Sequence, residues 1–184
     1  NNASALQMLA RAYADSGQNA KAAEINKGLV QTSGTDKASR INLAINYRDT
    51  KELDKAADII ADLRAQKQMN EERDYMVALN IYTAMKNREK DTIGMVEEGF
   101  ASGALKPTAN LYNILAEAYY YSDVDNNIKK AIESWSKAAP MAKNGAAYLN
   151  LSIVQCQEEM WAACKESAKA AIAKGGINEK DAKT

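Results

Sequence analysis

The chain has 184 residues, of which 46% are hydrophobic, and its 24 basic side chains balance 24 acidic ones. The basic side chains form no cluster of the kind that binds a phosphate backbone, so we expect no nucleic-acid partner. The sequence contains no His, no Gly-rich phosphate loop, no nucleophile motif and no run of about 18 apolar residues. These observations predict a protein that is not an enzyme, uses no cofactor or metal and does not insert directly into a membrane.

One short pattern, beginning with Leu9-Ala10-x-x-Tyr13, recurs five times along the chain. The copies end 34, 35, 37 and 36 residues apart, at Tyr13, Tyr47, Tyr82, Tyr119 and Gln155. Each copy is followed by a small residue that opens a second amphipathic stretch, namely Ala22, Ala56, Thr92, Ala131 and Cys164. A period of this length with two helical stretches per unit indicates stacked helix hairpins.

The second copy shows the predicted hairpin most clearly. Its first stretch repeats apolar residues at helical spacing up to Tyr47, polar residues follow at 49–52, and Leu53 restarts the apolar pattern. Ala44 and Ala56 lie twelve residues apart, which places two small side chains at the same height and lets antiparallel helices approach closely. The sequence therefore predicts an all-α fold, a right-handed α-solenoid of about five antiparallel helix hairpins. We assign one domain, 1–184, with repeats at 3–36, 37–71, 72–108, 109–144 and 145–177, and with 178–184 as a tail or a truncated repeat.

The pattern resembles that of the tetratricopeptide repeat (TPR) family, whose unit of about 34 residues consists of two antiparallel helices. Leu43-Ala44-x-x-Tyr47 followed by Ala56 matches the family pattern, and so does Leu115-Ala116-x-x-Tyr119 followed by Ala131. Three positions depart from it, at Asn26, Leu79 and Gln155. The resemblance implies a non-catalytic module that binds a peptide or protein segment.

A narrower resemblance concerns bacterial envelope TPR proteins associated with TonB-type systems. It is carried by the run from Glu97 to Thr108 and by Ala131-Ile132-x-x-Trp135. This resemblance implies a fragment of an exported bacterial protein in the periplasm, with a cytoplasmic location as the open alternative.

In a TPR array the first helices line a concave groove, which we predict to be the partner-binding surface. Its polar members suit peptide recognition and its apolar members would serve as anchors. Helical projection predicts a lining of Arg11, Ile41, Asn42, Ile45, Arg48, Arg73, Met76, Asn80, Asn110, Asn113, Glu117 and Tyr120.

Some aromatic residues and the two cysteines receive separate predictions. Tyr119 is expected in the core, and so are Trp135 and Trp161. Cys156 and Cys164 flank the predicted turn of the last hairpin, where either a disulfide or a pair of buried thiols is possible. The alternative to peptide binding is a structural spacer or oligomerisation domain in a larger envelope assembly, which would involve self-association.

Overall fold

The computed structural model describes residues 2–33 and 36–176, which form ten α-helices and no β-strand. Within this described part, no helix is both long enough and apolar enough to cross a membrane. The chain divides into two compact units, Asn1–Arg88 and Glu89–Thr184, here called unit 1 and unit 2. The predicted tail, 178–184, lies outside the described residues.

Unit 1 contains five helices: α1 (Asn2–Asp15), α2 (Asn19–Ser33), α3 (Lys37–Asp49), α4 (Leu53–Ala65) and α5 (Glu72–Tyr82). Helix α2 packs against α1 and α3, and α3 also packs against α4 and α5. The two small residues predicted to allow close packing of α3 on α4, Ala44 and Ala56, are both fully buried. The predicted repeats 3–36 and 37–71 therefore each contain one helix pair.

Unit 2 contains α6 (Glu89–Ser102), α7 (Ala109–Tyr121), α8 (Asn127–Met141), α9 (Ala146–Gln157) and α10 (Trp161–Lys174). Along the chain each helix packs against the next, from α6 to α10. Ala116 of α7 and Ala131 of α8 are fully buried, as Ala44 and Ala56 are in unit 1. The boundary between the two units lies within the predicted repeat 72–108, which contributes α5 to unit 1 and α6 to unit 2.

A left-handed residue closes the turn in three of the hairpins, always four positions after the end of the repeated pattern. Gly17, Lys51 and Glu159 have φ angles of 77°, 66° and 59°. In each turn the next residue donates its backbone N–H to the residue that ends the pattern, for example Glu52 to Tyr47 at 2.8 Å. This arrangement satisfies carbonyls that the end of a helix leaves without a partner. In these three hairpins, therefore, the turn has the same geometry at the same position of the repeat.

The amino ends of α3 and α5 are fixed by aspartates. Asp36 accepts hydrogen bonds from the backbone N–H groups of Ala38 and Ser39 at the beginning of α3. The buried Asp74 carboxylate accepts the backbone N–H of Glu71 at 3.0 Å, and Lys37 donates to it at 2.9 Å. Because Lys37 lies on α3 and Asp74 on α5, this ion pair joins two helices that carry predicted groove residues.

Candidate functional site

A cavity of about 500 Å³ opens in unit 1 and is the candidate site. Three first helices of the predicted repeats, α1, α3 and α5, contribute most of its lining, and α2 contributes one residue. Four residues predicted to line the groove lie here: Arg11, Asn42, Ile45 and Arg73. Its volume falls in the range of sites that take small molecules or side chains of a partner.

The rim of the cavity is polar and positively charged. Arg73 of α5 donates to the Asn42 side-chain oxygen at 2.7 Å, which holds the guanidinium over α3. Arg11 of α1 is exposed, with its Nε 3.7 Å from the Asp15 carboxylate. Among the described residues that line the cavity, two are Arg and none is Asp or Glu. The rim therefore favours groups that are neutral or negatively charged.

Two buried amides form the base of the cavity. Asn26 of α2 and Asn46 of α3 are 4% and 3% exposed. The Asn26 Nδ2 donates to the Asn46 Oδ1 at 2.6 Å, and the Asn26 Oδ1 has no hydrogen-bond partner among the described residues. An unpaired buried acceptor costs about 1–3 kcal/mol, so its presence needs an explanation. Sequence reasoning noted Asn26 only as a departure from the TPR pattern and missed Asn46, although both are polar residues at apolar repeat positions.

The remaining groove predictions in unit 1 fall outside this cavity, and one of them is wrong as a binding residue. Ile41 is 2% exposed because α3 packs against α2, α4 and α5, which leaves that face of the helix in the core. Arg48 is half-buried and pairs with the neighbouring Asp49 carboxylate at 2.7 Å. Met76 is half-buried and Asn80 is exposed, both on α5.

The four groove predictions in unit 2 lie on α7, and three of them take part in side-chain hydrogen bonds. Asn113 donates to the Glu117 carboxylate at 2.7 Å and accepts the Trp135 indole N–H at 3.0 Å. The Tyr120 hydroxyl donates to the Gln157 side-chain oxygen at 3.0 Å. Asn110 is exposed. Asn113 and Tyr120 therefore connect α7 to its neighbours, in addition to any contact with a partner.

Of the three aromatic residues predicted in the core, two are buried and one is not. The Tyr119 hydroxyl hydrogen-bonds to Glu97. Burial, together with this bond to a carboxylate, raises the pKa of Tyr119. Trp135 is 3% exposed, whereas Trp161 is 59% exposed. The prediction for Trp161 is wrong because this residue begins α10 ahead of the face that the helix buries, which starts at Cys164.

Cys156 and Cys164 form a disulfide in the structure, with their Cα atoms 5.3 Å apart. The bridge joins the end of α9 to the first turn of α10. The same two helices are linked by a buried hydrogen bond from the Ser167 hydroxyl to the Gln155 side-chain oxygen at 2.7 Å. Gln155, a departure from the TPR pattern, thus has a structural partner.

Comparison with protein-family models gives no match. Comparison with the sequences of curated proteins also gives no match.

The fold is similar to that of several solved structures. A double mutant of MamA RS-1 superposes with a TM-score of 0.77 at 15% identity, covering 95% of this chain and 94% of that chain. MamA from residue 41 to its end, from Desulfovibrio magneticus RS-1, gives 0.70 at 17% identity, covering 95% and 93%. TTC0263, a thermophilic TPR protein of Thermus thermophilus, gives 0.53 at 12% identity, covering 98% and 94%. These likenesses concern the fold alone, and they confirm the predicted all-α helical-repeat fold of the TPR type.

Proposed function

We propose that this chain is a non-catalytic protein-interaction module that binds a segment of another protein at the cavity of unit 1. The cavity is the observation that carries the proposal. It brings together polar and apolar side chains from three first helices, and four of its residues are ones that helical projection assigns to a binding groove. Helical-repeat proteins of the TPR type generally act as binding scaffolds, which supports the same conclusion.

The charge of the rim suggests the character of the partner. Arg11 and Arg73 present guanidinium groups, and the described lining contains no Asp or Glu. Arg11 pairs with Asp15, which lies outside the lining, at 3.7 Å. Guanidinium groups bind carboxylates through paired hydrogen bonds, so the bound segment should be acidic near the cavity. Ile45 supplies apolar surface beside these charges.

A charge-reversal experiment tests the proposal. Proteins retained by the immobilised wild-type chain are identified by mass spectrometry and compared with those retained by the Arg11→Glu/Arg73→Glu variant. The matched control is Lys27→Glu/Lys86→Glu, which reverses two exposed charges of unit 1 away from the cavity. We expect a partner that the control retains and the cavity variant loses. A partner retained equally by all three proteins would place binding elsewhere.

Self-association is the second candidate function, and exposed apolar side chains on the terminal described helices favour it. Met8 and Leu9 are exposed on α1, and Trp161 and Ile172 are exposed on α10. Leu9 also lines a hollow of about 440 Å³ between α1 and α2. Analytical ultracentrifugation tests this candidate: oligomers that dissociate in the Leu9→Ser or Ile172→Ser variants would support it, and a monomer at all concentrations would contradict it.

We further propose that the chain works in the periplasm of a bacterium, and its association with a TonB-type system stays a prediction. The Cys156–Cys164 pair supports an oxidising compartment, because disulfides persist outside the reducing cytosol. Protein isolated from its native compartment without reductant should resist alkylation at both cysteines. Two free thiols in such a preparation would contradict the proposal.

A further inference from the structure

The buried amide pair at the base of the cavity is exceptional among the repeats of this chain. At the position of Asn26, four residues after the small residue of the second helix, the other repeats have Ile60, Val96, Trp135 and Ala168. At the position of Asn46, one residue before the end of the pattern, they have Ala12, Ile81, Ala118 and Val154. The two polar exceptions fall in consecutive repeats and contact each other. Since either one alone would be an unpaired polar group, their pairing indicates a shared role.

The pair uses only one polar atom of each amide, the Asn26 Nδ2 and the Asn46 Oδ1, so that the Asn26 Oδ1 and the Asn46 Nδ2 lie outside it. The Asn26 Oδ1 is buried and has no hydrogen-bond partner among the described residues. Exchanging oxygen and nitrogen in both amides gives the same result, because one oxygen and one nitrogen again face each other. Both residues line the cavity. The cavity base is therefore complementary to a group that donates and accepts at adjacent atoms.

We propose that this base binds a primary carboxamide, the side chain of a Gln or Asn in the bound segment. This inference rests on the proposed function, because it names the group that the bound segment inserts. A carboxamide carries an N–H donor beside a carbonyl acceptor, which matches the two atoms that lie outside the pair. The Arg side chains at the rim disfavour a cationic donor such as Lys, and flanking acidic residues would meet Arg11 and Arg73 instead.

Burial decides between the two sources of an amide in a protein segment. Asn26 and Asn46 are almost fully buried, whereas Arg11 and Met8 at the rim are exposed. The main chain of a bound segment that runs along the exposed rim does not reach the two buried amides at the base. A side chain of that segment, inserted into the cavity, does reach them. The donor and acceptor are thus assigned to a side-chain carboxamide.

Three capped tripeptides test the assignment on the full 184-residue chain: acetyl-Asp-Gln-Asp, acetyl-Asp-Glu-Asp and acetyl-Asp-Leu-Asp, each as the N-methylamide. We expect the Gln peptide to bind about tenfold more tightly than the Leu peptide, because one or two buried hydrogen bonds are gained. In NMR spectra of ¹⁵N-labelled protein, the Gln peptide should shift the side-chain amide signals of Asn26 and Asn46, and the Leu peptide should not. N-methylation of the Gln main-chain nitrogen should leave the affinity unchanged.

Three variants complete the test. Asn26→Leu should remove the preference for Gln while retaining the affinity that the rim provides, and Asn26→Leu/Asn46→Leu should do the same with both partners replaced. Arg11→Gln/Arg73→Gln should weaken all three peptides alike and keep the preference for Gln. The wild-type NMR result stands independently of whether any variant folds.

The outcomes separate this inference from the proposed function. Three peptides that bind alike, with a dependence on the Arg side chains, would overturn the carboxamide assignment and leave the binding site in place. Loss of binding on N-methylation would assign the amide to the main chain and also overturn it. If none of the peptides binds, the assignment fails, whereas the proposed function is decided by the charge-reversal experiment.

Discussion

The junction between the second helix of one repeat and the first helix of the next is filled differently in the two units. In unit 1, α2 and α3 bring Asn26 and Asn46 together beneath a cavity. At the equivalent positions in unit 2, α8 carries Trp135 and α9 carries Val154, and both side chains are buried. The Trp135 indole N–H has a partner in Asn113, whereas the Asn26 oxygen has none among the described residues.

This difference shows how a repeat protein can place a site without changing its fold. Large apolar side chains at these positions stabilise the junction through burial. The amides at the same positions in unit 1 leave a buried acceptor without a partner among the described residues, which costs stability. Local departures from the rules that stabilise a fold are expected at functional sites. The comparison therefore supports the proposed binding role of the unit 1 junction, whereas the unit 2 junction has the apolar packing of a structural contact.

The largest expected effect comes from removing the buried aromatic side chain of the unit 2 junction. Trp135→Ala removes a buried side chain and should lower the free energy of unfolding by about 3–5 kcal/mol, because the space it leaves is only partly refilled. Urea unfolding followed by circular dichroism measures the change. Trp161→Ala is the matched control, and since Trp161 is exposed we expect a loss below about 1 kcal/mol. Equal losses in the two variants would contradict the structural role of Trp135.

Two adjacent tyrosines of α7 give the next largest contrast. Tyr119→Ala should lower the free energy of unfolding by about 2–4 kcal/mol, because the ring is buried and its hydroxyl bonds to Glu97. Tyr120→Ala should cost about 1 kcal/mol, since its half-buried ring contacts Trp135 at 5.7 Å between centroids. Thermal melts of both variants measure the difference. A larger loss for Tyr120 would contradict the assignment of Tyr119 to the core face of α7.

The repeated pattern was sufficient to predict the all-α fold, because its period is set by helix geometry and by the core. The small residues Ala44, Ala56, Ala116 and Ala131 are buried for the reason their spacing indicates. Projection of single helices was less reliable for exposure. Ile41 was wrongly placed on a free surface, because the sequence of α3 does not reveal that three other helices surround it.

The candidate site could be predicted only in part. The rim residues Arg11 and Arg73 follow from helical phase, which places them on the first-helix face. The base could not be found in the same way, since it depends on a contact between two side chains 20 residues apart. Comparison of equivalent repeat positions would have revealed both polar exceptions, but not that they touch.

Replacing the amide pair by apolar residues should make the unit 1 junction resemble the unit 2 junction. The change in stability should be smaller than that caused by Trp135→Ala. Asn26→Leu/Asn46→Leu gives unit 1 the apolar junction of the other repeats and removes an unpaired acceptor. We expect the free energy of unfolding to rise by about 1–2 kcal/mol, since replacing both hydrogen-bonding partners by apolar groups avoids leaving one of them unpaired. Differential scanning calorimetry measures the change. The control Asn26→Ala removes one partner only and should destabilise the chain. A higher free energy of unfolding in both the double variant and the control would contradict the pairing of the two amides.

The smallest expected effect concerns two helix caps, Asp36 at the beginning of α3 in unit 1 and Thr108 at the beginning of α7 in unit 2. Asp36 accepts hydrogen bonds from the Ser39 hydroxyl and from two backbone N–H groups, and these bonds lower the pKa of its carboxyl group. Thr108 accepts the backbone N–H of Leu111 through a hydroxyl that carries no charge. Replacing either residue by Ala should lower the free energy of unfolding at pH 7 by about 1 kcal/mol.

Acidification should separate these two caps. The pKa of Asp36 is lower in the folded chain than in the unfolded chain, so its contribution is present above the unfolded pKa of about 4 and is lost as the pH falls through the folded value. The difference between wild type and Asp36→Ala should therefore shrink between pH 7 and pH values below about 3, whereas the Thr108→Ala difference should persist. Urea unfolding at both pH values measures the two differences. If the difference in free energy of unfolding between wild type and Asp36→Ala were the same at both pH values, the charge of the carboxylate would not contribute to the cap. This cap begins α3, the helix that carries Asn46 at the cavity.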